Sequence, residues 1–411
     1  MSEDIRRRII LQWLLTPGLI VLVIAIFVAG KEHEPVQPET GKKNILPEDV
    51  YIDLRKEVRQ NLHDELEEYF IRLNRKGLFN GTVLYAEEGE VVFSGAFGYR
   101  DLRKKVPLQP DDAFQLASVS KMFTAMAVMI LEERGLLSYD DTVTRFIPEW
   151  PYPGVTIRHL LTHRSGLSRY MSLADKYWDP NRPISNEDVI ALFVKYRPAP
   201  YFKPDNGFHY CNTNYMLLAS VVERITGEPF EEFVAEEIFQ PCGMARSFIY
   251  RLPADSAIGH EVPVGVPGYR STGRRARKFG DYYLNGVVGD KGIYSTVNDI
   301  FRFDKALDEE ILVKRETLQQ AFTPGSPKYY RRKDNYGFGW RISVDADSTV
   351  YHYGWWKGFR SFYIRDMARD RRIIALTNTH HGASGAVFRE IINRNPDAEE
   401  LLTLLGSINP E

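Results

Sequence analysis

Ser118 and Lys121 stand three residues apart in the stretch QLASVSKMF, Gln115 to Phe123, where a long apolar pattern begins. On a helix that spacing puts two side chains on one face. A basic group beside a serine hydroxyl can take its proton and make it able to attack a carbonyl. The same letters also describe a serine that caps a helix and a lysine whose stem reaches out to water. Ser-x-x-Lys alone does not decide between the two. The run from Ala117, ASVSKMFTAMAVMILEERGLL, is apolar on nearly every face and predicts a central buried helix. Unpaired N–H groups and the positive end of the helix dipole at its start favour an alkoxide or an oxyanion.

Two later triplets supply further polar groups: YCN, Tyr210 to Asn212, ahead of a helical pattern, and HYG, His352 to Gly354, inside a strand pattern. Ser-x-x-Lys, a second polar motif and a third motif on a strand follow one another in that order in β-lactamases and penicillin-binding proteins. The chain resembles the β-lactamase-related serine hydrolases, on the class C-like branch that also holds DD-peptidases, D-aminopeptidases and esterases. VTIRHLLTHRSGL (Val155 to Leu167), GDKGIYSTVNDIFRFDKAL (Gly289 to Leu307) and YGFGW (Tyr336 to Trp340) extend the resemblance, which covers roughly Leu66 to Arg394.

The resemblance implies a role for each residue. Ser118 is the nucleophile and Lys121 its hydrogen-bonded partner. Tyr210 is the general base that takes the serine proton and returns it to the leaving group. Asn212 orients the substrate amide and Lys121. Gly354 lets the strand approach, and the N–H of Trp355 joins that of Ser118 as the oxyanion hole. A lysine or tyrosine ordinarily titrates near pH 10, so acting unprotonated at neutral pH costs roughly 4 kcal/mol of tuning. Which member of the Lys121–Tyr210 pair holds the proton is a property of the coupled pair. His352 stands where many β-lactamases have lysine. A mostly neutral imidazole attracts a substrate carboxylate less than an ammonium does, which points away from efficient β-lactam hydrolysis and toward peptidase or esterase chemistry.

Competing motifs are weaker. HLLTH sets His159 and His163 on one helical face, but Leu160 stands where a zinc hydrolase needs its catalytic glutamate, so no metal is expected. HGASGA near His381 has Ala386 where a nucleophile elbow ends in glycine. Cys211 and Cys242, the only cysteines, are expected to pack as small apolar groups. RSTGRRARK, Arg270 to Lys278, reads as a solvated basic loop.

The elements that must position these residues belong to a 411-residue chain with 53 Lys plus Arg against 55 Asp plus Glu. A net charge of -2 gives no general attraction for nucleic acid. After a short cytoplasmic start, residues 1–8, the uncharged stretch Ile9 to Gly30 exceeds the roughly 20 residues that span a bilayer. Arg6, Arg7 and Arg8 precede it, so the positive-inside rule sends the remainder out of the cytoplasm. The length favours an uncleaved signal anchor over a cleaved signal peptide. Residues 31–49 read as a tether, and residues 50–411 as the hydrolase domain.

Helical spacing covers Leu54 to Lys76, and a hairpin is predicted around Glu87 to Glu90. Helical patterns run from Ser118 to about Met244, the strands YGFGWRISV, TVYHYG, FRSFYIRD and RRIIALTNT follow one another from Tyr336 to Thr379, and GAVFREIINR reads as a closing helix. The expected fold class is α/β, of the α+β type: a β-lactamase/transpeptidase-like antiparallel sheet flanked by helices, with an inserted mostly helical region and an N-terminal transmembrane helix. The expected function is a membrane-anchored serine hydrolase on the periplasmic or extracellular face. It needs no cofactor and acts through an acyl-enzyme on small molecules or peptides, D-amino-acid-containing and cell-wall-derived ones included, or on esters. The alternatives are a class C-like β-lactamase and a non-catalytic binding protein of the same fold.

Overall fold

In GTVLYAE, Val83 and Tyr85 alternate with Leu84 and Ala86, and the two sets enter cores on opposite faces of a sheet. The computed structural model describes residues 48–260, 262, 264–272, 275–326, 334–343 and 348–379. This strand, β1 (Gly81–Glu87), turns through Glu88 and Gly89, both at positive φ, into β2 (Glu90–Phe97). A two-residue turn with two positive φ values matches the twist of a hairpin. The late strands are β3 (Asp334–Tyr336), β4 (Arg341–Ser343), β5 (Thr349–Trp356), β6 (Phe359–Asp366) and β7 (Arg371–Thr377). They join the hairpin in one seven-stranded antiparallel sheet of order β3-β4-β5-β6-β7-β1-β2, with Gly81 opposite Thr377.

One face carries the helix α1 (Glu48–Arg75), whose Leu62, Leu66, Tyr69 and Phe70 pack with Tyr85, Phe93, Phe362 and Ile364. Val58 continues the predicted spacing but is exposed. The other face meets α2 (Ser120–Glu133), in which every residue from Ser120 to Leu131 is buried, as its all-round apolar pattern requires. The helices α3 (Asn212–Thr226) and α4 (Val297–Asp308) lie in the same core, whose members also include Tyr363 and Leu376 from the sheet. The helical region thus falls between the early hairpin and the late strands.

One predicted strand is interrupted. Between β3 and β4, Gly337 N–H donates to the Trp340 carbonyl at 2.9 Å, and Gly339 has φ +88°. A Cβ on Gly339 would lie 2.9 Å from the Lys121 carbonyl oxygen, so YGFGW is a turn pressed onto the helix that carries Lys121. Two compact units divide the chain, Met1–Arg55 and Lys56–Glu411, and of the first only the beginning of α1 is described. The apolar segment 9–30, most of the tether and the closing helix lie outside the described residues. Among the described residues no helix is long and apolar enough to cross a membrane.

Candidate active site

Ser118 sits on a short 3-10 turn, Ala117–Val119, immediately before α2. Ala117 holds φ +49°, a strained conformation for a residue with a Cβ. Its neighbour Leu116 is held on both sides, its N–H donating to the Ile293 carbonyl at 2.8 Å and its carbonyl accepting from Ser361 Oγ. Neither this turn nor α2 has a side-chain cap, so Ser118 is not a helix cap. Lys121 does not reach water: it is fully buried, and its Nζ donates to Ser118 Oγ at 3.0 Å and to the Asp290 carbonyl at 2.8 Å. Both non-catalytic explanations of Ser-x-x-Lys therefore fail on geometry.

Tyr210 precedes α3, and its ring lies under Lys121 Nζ, 5.1 Å from the ring centroid. His163 packs on the same ring with centroids 4.4 Å apart, and the Arg341 guanidinium lies 5.1 Å from its centroid. The phenol oxygen is buried and makes no hydrogen bond, to Ser118, to Lys121 or to any other group. Asn212, first residue of α3, donates from Nδ2 to the Met171 thioether Sδ at 3.8 Å, while its Oδ1 is buried without a partner. It makes no hydrogen bond to Lys121. Both atoms are thus left available to a group that enters beside the serine–lysine pair.

His352 and Gly354 come from β5. His352 Nδ1 lies 2.9 Å from the Tyr353 carbonyl and so carries the proton, while Nε2, 3.0 Å from Tyr336 Oη, accepts. Burial pushes its pKa well below 6.5, and the charges of Arg341 and Lys121 push the same way. The imidazole is neutral. A Cβ on Gly354 would run into the Leu116 carbonyl and Ser361 Oγ and lie 2.9 Å from Ser118 N. Only glycine lets β5 come this close to Ser118, and the next residue, Trp355, leaves its side chain largely exposed. Amides of Ser118 and Trp355 on two such close segments are what an oxyanion hole needs.

Three neighbours were not read from the sequence as parts of the site. His163 is fully buried at φ +57°, and its Nδ1 accepts from Cys211 N–H at 3.3 Å and lies 3.0 Å from Asn214 Nδ2. It thereby ties the start of α3, from Cys211 to Asn214, to the Tyr210 ring. Burial, then Lys121 and Arg341, hold its pKa well below 6.5. Arg341, from β4, lies 4.5 Å from the Tyr353 ring as well as against Tyr210. Tyr336 bonds His352. The HLLTH and YGFGW signatures contained His163 and Tyr336, but a lone arginine in a strand gives no local signal.

The remaining sequence features resolve structurally. His159 Nδ1 accepts from Thr156 N–H at 3.2 Å, closing a helix-capping box. Among the described residues no three His, Cys, Asp or Glu gather as a metal site would require. Cys211 and Cys242 are both free and buried. The basic stretch contains a β-hairpin in which Arg270 faces Arg277.

The fold sets the Ser118–Lys121 pair at the start of a central helix with a sheet strand alongside. The family model for β-lactamase matches residues 62–394, and the chain belongs to that family of serine hydrolases. It is 36% identical over 329 residues to penicillin-binding protein 4* of Bacillus subtilis (strain 168), spanning 78% of this chain and 73% of that one. It is 29% identical to a D-aminopeptidase of Cereibacter sphaeroides over 74% of this chain and 57% of the relative. Among solved structures, a penicillin binding protein from Bacillus halodurans superposes with a TM-score of 0.66 at 27% identity, covering 81% of this chain and 98% of the other.

Proposed function

We propose that the protein hydrolyses D-amino-acid-containing peptides, or esters of similar size, through an acyl-enzyme on Ser118. The observation that carries this reading is the 3.0 Å bond from the fully buried Lys121 Nζ to Ser118 Oγ, on a serine that itself stays partly exposed. Ser118 Oγ attacks the carbonyl carbon, and its proton passes to the Lys121–Tyr210 pair. The tetrahedral oxyanion is held by the amides of Ser118 and Trp355. Collapse breaks the bond to the leaving amine or alcohol, which takes the proton from the pair. Water then adds to the acyl carbon by the reverse sequence and frees Ser118.

Asn212 Oδ1, unpartnered and buried, is suited to accept from the substrate amide N–H. With His352 neutral, the Arg341 guanidinium supplies the positive charge for a substrate carboxylate. A D-aminopeptidase and penicillin-binding proteins among its relatives favour peptides ending in D-residues. β-Lactams are expected to turn over more slowly.

The protein is anchored through Ile9 to Gly30 with its hydrolase domain outside the cytoplasm, a reading supported by the uncharged length and the preceding arginines. A fluorophosphonate probe tests the chemistry: the wild type is labelled and Ser118→Ala is not. Turnover of a D-Ala-D-Ala peptide, a short-chain nitrophenyl ester and a chromogenic cephalosporin, measured side by side, ranks the substrates. Absence of both label and turnover in the wild type supports the binding-protein alternative. Cell fractionation tests the anchor: the full chain pellets with membranes, and a chain lacking residues 1–30 does not.

A further inference from the structure

Lys291 is buried to within 3% of full burial, and no step above uses it. It belongs to Gly289–Gly292, GDKG, a stretch laid along the start of α2. Lys121 Nζ donates to the Asp290 carbonyl at 2.8 Å, and Thr124 Oγ1, three residues further along the helix, donates to the Gly289 carbonyl at 2.7 Å. Ile293 N–H donates to Ser120 Oγ at 3.3 Å. The position of the Asp290 carbonyl therefore sets where the Lys121 ammonium comes to rest beside Ser118.

What holds Asp290 is a closed set of buried polar groups. Tyr170 Oη donates to Asp290 Oδ2 at 3.0 Å. Lys291 Nζ donates to Asp290 Oδ1 at 3.3 Å, to Tyr170 Oη at 3.0 Å and to the Val287 carbonyl at 3.1 Å. Lys291 Nζ also lies 5.1 Å from the ring centroid of Trp356, on the active-site strand. Gly289 and Gly292, at φ +96° and +104°, bracket the pair. A carboxylate or an ammonium this deep is costly alone, and breaking such a pair leaves the survivor as an uncompensated charge.

We propose that Lys291 is a positioning residue for the Ser118–Lys121 pair: acting through Asp290, it fixes the carbonyl that receives Lys121 and cancels the carboxylate's charge beside it. The inference rests on the reading of Ser118 and Lys121 as the reacting pair. The titratable groups facing Lys291 are Asp290, Tyr170 and Lys121. Those facing Lys121 are Tyr210 and Tyr215 from around α3, His163, His352 and Lys291. Asp290 faces Lys121 too, and the Arg341 guanidinium lies against the Tyr210 ring; burial holds both histidines neutral and the variants leave Arg341 in place, so Asp290 and Lys291 are the charges that these substitutions unbalance.

The test is the pH dependence of kcat/KM of the full-length enzyme toward a short-chain nitrophenyl ester. The variants are Lys291→Met, Asp290→Asn and the two combined. The limb on which activity rises with pH reports loss of a proton from the catalytic pair. Lys291→Met leaves a bare carboxylate that holds this proton more tightly, so the limb moves up by about one pH unit, a tenfold loss at a fixed acidic pH. Asp290→Asn leaves a bare ammonium, and the limb moves down by a similar amount. The double variant returns to within about half a pH unit of wild type.

A limb that stays in place in both single variants, however far kcat falls, overturns the inference, as does a double variant that stays displaced. Should Lys291→Met not fold, Asp290→Asn against the double variant decides. Turnover by Ser118→Ala would mean that the underlying catalytic reading has failed. An inert Ser118→Ala together with an unmoved limb would remove only the role of Lys291.

Discussion

Lys121 meets Tyr210 through the face of its ring, 5.1 Å from the centroid, while the phenol oxygen stays buried with no hydrogen bond. The amine is thereby left to bond Ser118 and the Asp290 carbonyl, and the phenol remains uncommitted.

Tyr210→Phe tests the base role. Loss of a general acid–base group predicts a fall in kcat of about 100-fold to 10,000-fold. Removing an unsatisfied buried hydroxyl predicts stability unchanged or raised by about 1 kcal/mol. Steady-state kinetics and thermal melts on one preparation read both, and full retention of kcat would end the base role.

Gly354→Ala introduces a methyl where the Leu116 carbonyl, Ser361 Oγ and Ser118 N already stand, the last at 2.9 Å from the new Cβ. Moving the strand away from Ser118 predicts a stability loss of about 1–3 kcal/mol. It also predicts a kcat at least about 100-fold lower, because the oxyanion amides separate. Crystallography of the variant should find β5 displaced from the Ala117–Val119 turn.

Arg341→Met removes the guanidinium packed on Tyr210 and Tyr353. A charge-assisted contact to a substrate carboxylate is worth about 1.5–3 kcal/mol. KM for a D-Ala-D-Ala peptide with a free carboxylate should rise about 10-fold to 100-fold, while KM for a neutral nitrophenyl ester changes less than about threefold. Equal changes for both substrates would remove the recognition role.

His163 and His352 are buried neutral, with pKa values pushed well below the ordinary 6.5 by burial first and by neighbouring cations second. Below pH 6.5 the unfolded chain binds protons at these two positions that the folded protein does not. Their contribution is therefore present above about pH 6.5 and is lost as pH falls, at up to about 1.4 kcal/mol per pH unit for each histidine. Urea midpoints between pH 8 and pH 5 should fall with acid, and His352→Gln should flatten the slope.

Much of this was legible because it is local. The alternation in GTVLYAE, the turn at Glu88–Gly89 and the all-round apolar run after Ser118 each follow from a few consecutive side chains and their burial. YGFGW, expected as part of a continuous strand, turns instead, because its path depends on a distant contact, the Lys121 carbonyl against Gly339. Arg341 carried no signal, since a charged residue in an ordinary strand says nothing of what will surround it, and the GDKGIYSTVNDIFRFDKAL stretch contained Lys291 without showing that it would be buried against Asp290.

The amino-acid order by itself determined the family and the sheet assembled from both ends of the chain, and it singled out Ser118, Lys121 and Tyr210 as candidates. Motif spacing and hydrophobic periodicity survive without coordinates. Only the tertiary structure decided that Lys121 bonds Ser118 and Asp290 while Tyr210 keeps its hydroxyl free, that His352 is neutral, and that Lys291 stands behind the pair. Hydrogen bonds and desolvation act over a few ångströms in space between segments up to hundreds of residues apart in sequence, and packing alone brings those segments together.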